Sequence, residues 1–244
     1  MEHELWFTAL LNQLLAGPVT GLLNLLGVQP ASPTHPIPNY VAMQILVAGI
    51  IMVLLAVVRS RLSVDKPGNL QQGLELLVDG LGSQAEEIIG HGGRQFVPLL
   101  LTLGLFIFLS NVLGVIPTLE TPTGEIYVTV GCALVALVYY HYWGLRHHGV
   151  FGYIRTFMGP MMAIAWLMLP IELVSHMARG LSLSVRLWAN MVAGHNISLI
   201  VMSLVPLAVP VVFEGLHIFV GLLQAYIFVL LTMVYLAGAV SEEH

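Results

Sequence analysis

The sequence predicts an all-α integral membrane protein with five transmembrane crossings, a surface amphipathic helix and two long, steeply tilted C-terminal helices that form a hairpin. Composition is the first reason: 57% of the 244 residues are hydrophobic and only 9% are charged, which is far too apolar for a soluble domain. The second reason is that the apolar residues occur in runs long enough to cross a bilayer. A net charge of -5 without basic clusters argues against nucleic-acid binding.

Residues 1–40 are predicted to form an interfacial segment and linker on the outer side of the membrane. Residues 5–28 are apolar but interrupted by Asn12, Pro18 and Asn24, which favours a helix at the interface over a spanning helix. The proline-rich stretch 30–38 follows as an extended linker. Residues 41–244 then form a single membrane domain.

Five apolar runs predict the crossings of this domain. They comprise about residues 41–58, 96–117, 127–144, 161–205 and 211–240. Residues 68–92 alternate leucines such as Leu74 and Leu81 with acids such as Glu75 at helical spacing, which predicts an amphipathic helix on the cytoplasmic surface. Residues 171–205 would extend roughly 50 Å as a helix, against a hydrocarbon core of about 30 Å, so we expect the last two helices to lean.

The basic residues predict the orientation. Six of the eight Lys and Arg residues lie in two loops: Arg59, Arg61, Lys66 and Arg94 in one, and Arg146 and Arg155 in the other. The two loops are two crossings apart and therefore share a side, which the positive-inside rule makes cytoplasmic. We therefore expect the N-terminus outside and the C-terminus in the cytoplasm.

The remaining basic residues, Arg179 and Arg186, lie inside the apolar run 161–205. An arginine at the bilayer centre costs about 2.5–3.5 kcal/mol on insertion scales, and Arg186 is close to the midpoint of its helix. No acid lies three or four residues from it, so its counter-charge must come from another helix or another subunit. At helical spacing, Arg179 and Arg186 lie nearly on one line along the helix. The other polar residues on or beside this line are Glu172, Ser175, His176, Ser182 and Asn190. Such a stripe can also serve only to join helices by hydrogen bonds.

Titratable residues flank Arg186 on both sides. Counted from the hairpin turn near Pro206, Arg186 and Gln224 reach mid-membrane, and His195 and His217 reach a common level nearer the outside. The titratable residues are Glu214, His217 and His195 towards the outside, and Glu172 and His176 towards the inside. Glu and His exchange protons, whereas Arg stays charged and repels a hydrated proton. The pattern indicates two proton half-paths separated by a barrier.

Two motifs carry a resemblance to a known family. Residues 178–195 read ARGLSLSVRLWANMVAGH and residues 223–228 read LQAYIF, and both resemble signatures of the a subunit of the bacterial F-type ATP synthase. Residues 106–117, FIFLSNVLGVIP, also resemble the family's second span, and the resemblance extends from about Val41 to the end. It implies a proton-translocating stator subunit of the bacterial cell membrane that carries out no ATP chemistry itself. No cofactor or metal is expected.

The resemblance also implies roles for single residues. Arg186 matches the family's essential arginine, which attracts the deprotonated carboxylate of the passing c-ring subunit and separates the two half-channels. His195 and His217 match the titratable pair of the periplasmic half-channel. Further polar positions of the family are matched by Asn190, Gln224, Glu172, Ser182 and Asn111. The surface helix would lie near the b subunit of the peripheral stalk, and the remaining partners are the rest of the complex and membrane lipid.

The chain departs from the family pattern in two places. Many relatives carry an acid at one position of the outer titratable pair, whereas here both positions are histidine and Glu214 lies one turn before His217. Some relatives have an aspartate three residues after Asn111, where this chain has Gly114. We therefore expect an outer entrance that does not depend on a carboxylate at that position.

Three other classes stay open on the sequence alone. Histidines within spans also suit a membrane haem protein, for which His195 and His217 are the one level pair. A solute transporter with an internal ion site predicts an internal repeat, which we do not find. An intramembrane serine protease needs a serine and a histidine at a common depth, and we find no plausible pair.

Overall fold

The structure is a computed structural model, and it describes residues 5–25, 27, 35–64, 66–116, 119–158, 165–204 and 209–240. The helices are α1 (Trp6–Leu25), α2 (Asn39–Ser60), α3 (Asn69–Ile89), α4 (Val97–Leu113), α5 (Ile126–Met158), α6 (Ala165–Leu204) and α7 (Val209–Val240). Short 3-10 turns, Gly93–Phe96 and Pro122–Gly124, precede α4 and α5. Within these ranges there is no strand, and the predicted all-α fold is confirmed.

Five helical segments are long and apolar enough to cross a membrane. They are Trp6–Leu25, Asn39–Ser60, Gly93–Leu113, Ile126–Tyr153 and Val211–Val240. α1 belongs to this set, although we predicted an interfacial position for it. α6, the predicted fourth crossing, is not in the set. It carries the charged residues Glu172, Arg179 and Arg186. The chain is a multi-pass membrane protein, and the exact positions of α1 and α6 relative to the bilayer stay predictions.

α5 extends beyond the apolar run that predicted it, whereas α6 lies within its predicted run of 161–205. α5 continues to Met158 rather than ending near 144, since Gly149, with a positive φ of 69°, joins two helical pieces at an elbow. α6 passes through Pro170 without ending, because a proline near a helix start removes a single backbone hydrogen bond. Some parts of the predicted elements lie outside the described residues: residues 117, 161–164 and 205 of the predicted crossings, and most of the linker 30–38.

The amphipathic helix α3 lies close to the predicted range of 68–92. It ends at Gly90, whose φ of 96° is a conformation that glycine adopts readily. On its apolar side, Ala85 is buried in a cluster with Phe96 and Leu236, and the amide of Gln84 donates a hydrogen bond of 3.1 Å to the Tyr226 hydroxyl. α3 is therefore attached to α7 and to the start of α4, with acids on its exposed side.

The core lies between α4, α5, α6 and α7. One buried cluster combines residues from all four helices: Leu103, Ile107, Cys132, Ala133, Ala136, Leu183, Leu187, Met191, Ala225 and Phe228. Glycines allow close approach of these helices; a Cβ on Gly221 would lie 3.1 Å from Cβ of Asn111. The buried sides of α6 and α7 are thus turned to this core, and their other sides are exposed.

Candidate functional site

The candidate site lies between α6 and α7, whose register is set by two close contacts. Asn190 Nδ2 donates a hydrogen bond of 2.7 Å to Gln224 Oε1. One turn further along α6, Gly194 packs on the ring of His217, where an added Cβ would lie 2.7 Å from two ring atoms. These contacts agree with a common level for His195 and His217. Gln224, however, pairs with Asn190, one turn from the predicted level of Arg186.

Arg186 is half-buried at the border between the buried and exposed sides of α6. Leu183 and Leu187 are buried in the core, whereas Val185 is exposed. The guanidinium Nη2 donates a long hydrogen bond of 3.4 Å to Ser182 Oγ. Within the described ranges, no carboxylate lies within 4.0 Å of it. The charge therefore faces the outside of the bundle without an acidic partner from the described part of this chain.

The three outer titratable residues differ in burial. His217 is 7% exposed, and its Nε2 is buried without a hydrogen-bond partner in the part of the chain that the structure describes. Glu214, one turn earlier on α7, is half-buried, and His195 is exposed. All three lie at the same end of the hairpin formed by α6 and α7: His217 in its interior, Glu214 partly buried and His195 on its surface. Such a series can exchange protons between a buried site and the surroundings.

Asn111 on α4 joins the site to the turn before α5. Its Nδ2 donates to the Gly221 carbonyl at 3.0 Å, and its Oδ1 accepts a hydrogen bond of 2.7 Å from the Thr123 hydroxyl. The neighbouring Thr121 fills the space in front of Gly114, where an added Cβ would lie 1.3 Å from Thr121 Oγ1. The glycine that replaces the aspartate of some relatives is therefore covered by this turn.

Glu172 and His176 belong to a larger polar cluster at the other end of the site. Glu172 Oε1 lies 3.3 Å from His176 Nε2 and 3.7 Å from Arg179 Nη2. The Nδ1 of His176 and the hydroxyl of Tyr140 are 2.7 Å apart. The guanidinium of Arg179 also lies over the Tyr235 ring, 5.6 Å from its centroid. Arg179 thus has a carboxylate and an aromatic face to offset its charge.

The sequence did not predict the α5 members of this cluster, Tyr140, His141 and Tyr153. His141 Nδ1 lies 2.6 Å from the Tyr153 hydroxyl, and the ring centroids of His141 and His176 are 4.9 Å apart. Polar residues inside the run 127–144 are a signal that could have pointed to Tyr140 and His141. Their pairing with Tyr153 depends on the elbow at Gly149, which hydrophobic periodicity does not reveal.

The close contact of α6 and α7 bears on the haem alternative. The ring of His217 lies against Gly194, and His195 is on the exposed side of α6. The two rings therefore do not face each other across a space that a macrocycle could fill. Among the residues that the structure describes, no group of three or more His, Cys, Asp or Glu side chains is arranged to hold a metal ion.

Comparison with known proteins agrees with the motifs. Residues 41–237 match the family described as ATP synthase A chain. The ATP synthase subunit a of Koribacter versatilis is 49% identical over 244 residues, which cover 100% of both chains. That of Solibacter usitatus is 49% identical over 96% of this chain and 99% of its own, and that of Campylobacter fetus is 40% identical over 84% and 92%. This chain belongs to the ATP synthase A chain family, whose signatures the runs 178–195 and 223–228 resemble.

Proposed function

We propose that the chain is the proton-translocating stator subunit of a bacterial ATP synthase, with two offset half-channels that protonate and deprotonate the carboxylates of a c-ring. One observation carries the proposal: half-buried Arg186 has no carboxylate within 4.0 Å among the described residues. A charge in that position costs about 2.5–3.5 kcal/mol, so a counter-charge from another subunit is expected. A carboxylate on the passing rotor supplies it.

The exposed sides of α6 and α7 support a rotor contact. They present large apolar residues: Leu181 and Val185 on α6, and Phe219, Leu222 and Leu223 on α7. An ionised carboxylate is costly next to such a surface, whereas a neutral carboxylic acid is tolerated. A rotor carboxylate that leaves the arginine is therefore expected to be neutralised before it faces lipid.

The proton path follows from this requirement. A proton from the outer side passes Glu214, His217 and His195 and neutralises a c-ring carboxylate that has left Arg186. The neutral acid faces lipid for nearly a full turn, reaches the inner half-path near Glu172 and His176, and releases its proton to the cytoplasm. Each charge that crosses supplies about 2.3 kcal/mol per 100 mV, which becomes torque.

Arg186 also acts as the barrier between the half-channels. The positive charge of its guanidinium repels a proton that would pass directly from one half-channel to the other. The hydrogen bond from Arg186 to Ser182 orients the guanidinium along α6, one turn from the 2.7 Å bond between Asn190 and Gln224 that joins α6 to α7. Catalysis of ATP synthesis would then lie in other subunits.

The proposal also includes a contact with the peripheral stalk and an orientation of the chain in the membrane. α3 packs on α4 and α7 and leaves Glu75 and Asp79 exposed, a surface on which the b subunit of the stalk could rest. The basic loops favour a cytoplasmic position for α3 and for the C-terminus, and an outer position for the N-terminus.

The test is Arg186→Ala, measured as ATP-driven proton pumping in inverted membrane vesicles. We expect pumping to be lost with the complex still assembled. Vesicles stripped of the soluble ATPase head should leak protons faster than the unchanged protein, because the barrier is gone. Arg61→Ala removes the same charge from an exposed loop position and is expected to pump normally. Normal pumping by Arg186→Ala would contradict the proposal.

A further inference from the structure

Two histidine–tyrosine pairs lie side by side where α5 packs on α6. His176 Nδ1 is 2.7 Å from the Tyr140 hydroxyl, and His141 Nδ1 is 2.6 Å from the Tyr153 hydroxyl. In each pair the tyrosine contacts the same ring nitrogen and fixes the orientation of the ring. Since the histidine centroids are 4.9 Å apart, the two pairs form one contiguous cluster.

The cluster extends from the surface through the interior of the bundle. The side chain of Glu172 is 39% exposed, and that of His176, which contacts it, is 12% exposed. Tyr140 and Tyr153 are buried at 1% and 7%, and His141 is half-buried in the part of α5 before the elbow at Gly149. Apolar side chains would join two helices at lower cost than two histidines, so the polar series calls for another explanation.

We propose that His176 and His141 relay protons of the inner half-path from Glu172 through the α5–α6 contact to the elbow of α5. The inference rests on the proposed function and names the route by which protons leave. Tyr140 and Tyr153 are positioning residues, because each holds one histidine through Nδ1 without having to carry the proton itself.

The steps move one proton and change only O–H and N–H bonds. Glu172 takes up a proton released by the rotor and donates it to Nε2 of His176, 3.3 Å away. The imidazolium of His176 passes a proton through one bridging water molecule to the His141 ring, whose centroid is 4.9 Å from its own. His141 then releases a proton to water at the elbow, and all three residues return to their starting states.

One arginine and several aromatic side chains surround the relay. Arg179 lies 3.7 Å from Glu172, at the start of the relay. The other titratable groups that face the relay are Tyr140, His141 and Tyr153 of α5 and Tyr235 of α7.

A matched pair of variants separates a relay from a packing role. His141→Gln and His141→Glu introduce side chains of the same size, and each can bond to the Tyr153 hydroxyl, but only Glu takes up and releases a proton. We expect Gln to slow ATP-driven pumping, and passive proton conductance in head-stripped vesicles, by at least about tenfold. Glu is expected to recover most of the loss. Equal rates in the two variants, per assembled complex, would overturn the relay.

Further variants keep the test decisive. His147→Gln changes an exposed histidine close to the elbow and is expected to pump normally. If His141→Gln fails to assemble, Tyr153→Phe replaces it, since it keeps the ring and removes only the hydroxyl; a severalfold loss supports the relay and an unchanged rate contradicts it. Arg186→Ala is measured in parallel. Normal pumping there refutes the proposed function, whereas loss there with a normal rate in His141→Gln refutes only the relay.

Discussion

At the scale of single residues, the proposed outer half-path depends on a glycine that has no side chain, Gly194. Gly194 brings α6 against the ring of His217, and the fit leaves no room for a methyl group. The sequence predicted Arg186, since a charge inside an apolar run is conspicuous, but it did not predict the contact between Gly194 and His217. α6 is a continuous helix through this position, and the role of the glycine is close packing.

Gly194→Ala is therefore expected to displace His217 and slow proton entry from the outer side. An added Cβ would lie 2.7 Å from the ring, so the ring must shift. Misplacement of a reacting group by about 1 Å can cost a factor of about a hundred. We expect ATP-driven pumping, measured per assembled complex, to fall by about ten- to a hundredfold.

Gly131→Ala on α5 is the matched control for this variant. Gly131 is also a helical glycine, but no atom lies within 4 Å of an added Cβ. Alanine is preferred over glycine in a helix by about 1 kcal/mol, so this variant should assemble and pump like the unchanged protein. An unaffected rate in Gly194→Ala would show that the position of His217 does not limit proton entry.

At the scale of elements, periodicity predicted the number and order of helices well but not their ends. Apolar runs identify what faces lipid or core, and α2, α3 and α7 lie close to the predicted ranges. The run 127–144 ends where polar residues begin, although α5 continues past it and bends at Gly149. The pairing of His141 with Tyr153 follows from that bend. It could not be predicted, because it depends on three-dimensional packing between residues 12 positions apart.

The turn between α4 and α5 gives an element-scale prediction. Gly114 has ordinary helical dihedrals, φ -69° and ψ -11°, so its backbone does not require glycine. Close approach does, because an added Cβ would lie 1.3 Å from Thr121 Oγ1. Gly114→Ala is expected to move the Pro122–Gly124 turn, weaken the bond between Thr123 and Asn111, and destabilise the protein by about 1–3 kcal/mol. The thermal inactivation temperature of the purified complex measures this effect.

A double variant checks the cause of this loss. Thr121→Gly removes the atoms that an added methyl group would meet, so Gly114→Ala should be much less harmful in that background than in the unchanged protein. If the loss from Gly114→Ala is the same with and without Thr121→Gly, steric contact with Thr121 is not the reason for the glycine.

At the scale of the whole molecule, positive charge is divided between segments outside the apolar runs and one helix, α6. Six of the eight basic residues lie outside the apolar runs, and the other two lie on α6. Arg179 lies close to Glu172 and to the Tyr235 ring, whereas no carboxylate of the described residues lies within 4.0 Å of Arg186. The protein thus combines a self-sufficient membrane bundle with one charged position that a second subunit is expected to complete.

The basic loops also predict the topology of the whole molecule, which single cysteines can test. The native Cys132 is buried in α5, so Cys132→Ala gives an unreactive background. Val64→Cys places a thiol at a 99% exposed position after α2, and Phe151→Cys places one at a 92% exposed position of α5 after the elbow at Gly149. Glu120→Cys places one in the turn between α4 and α5. A membrane-impermeant maleimide is expected to label the first two in inverted vesicles and Glu120→Cys in intact cells.

The side from which each cysteine is labelled tests two separate points: whether α4 and α5 both cross the membrane, and which way the molecule is oriented in it. Two crossings, α4 and α5, are predicted between Val64 and Phe151, so labelling from opposite sides would mean that one of them does not span. Labelling of both from the outside would keep the crossings but reverse the molecule. In that case Glu172 would lie near the outer side and Glu214 near the cytoplasm, and protons would have to enter where we propose that they leave. The expected pattern alone is compatible with an outer path through His217 and an inner path through His176.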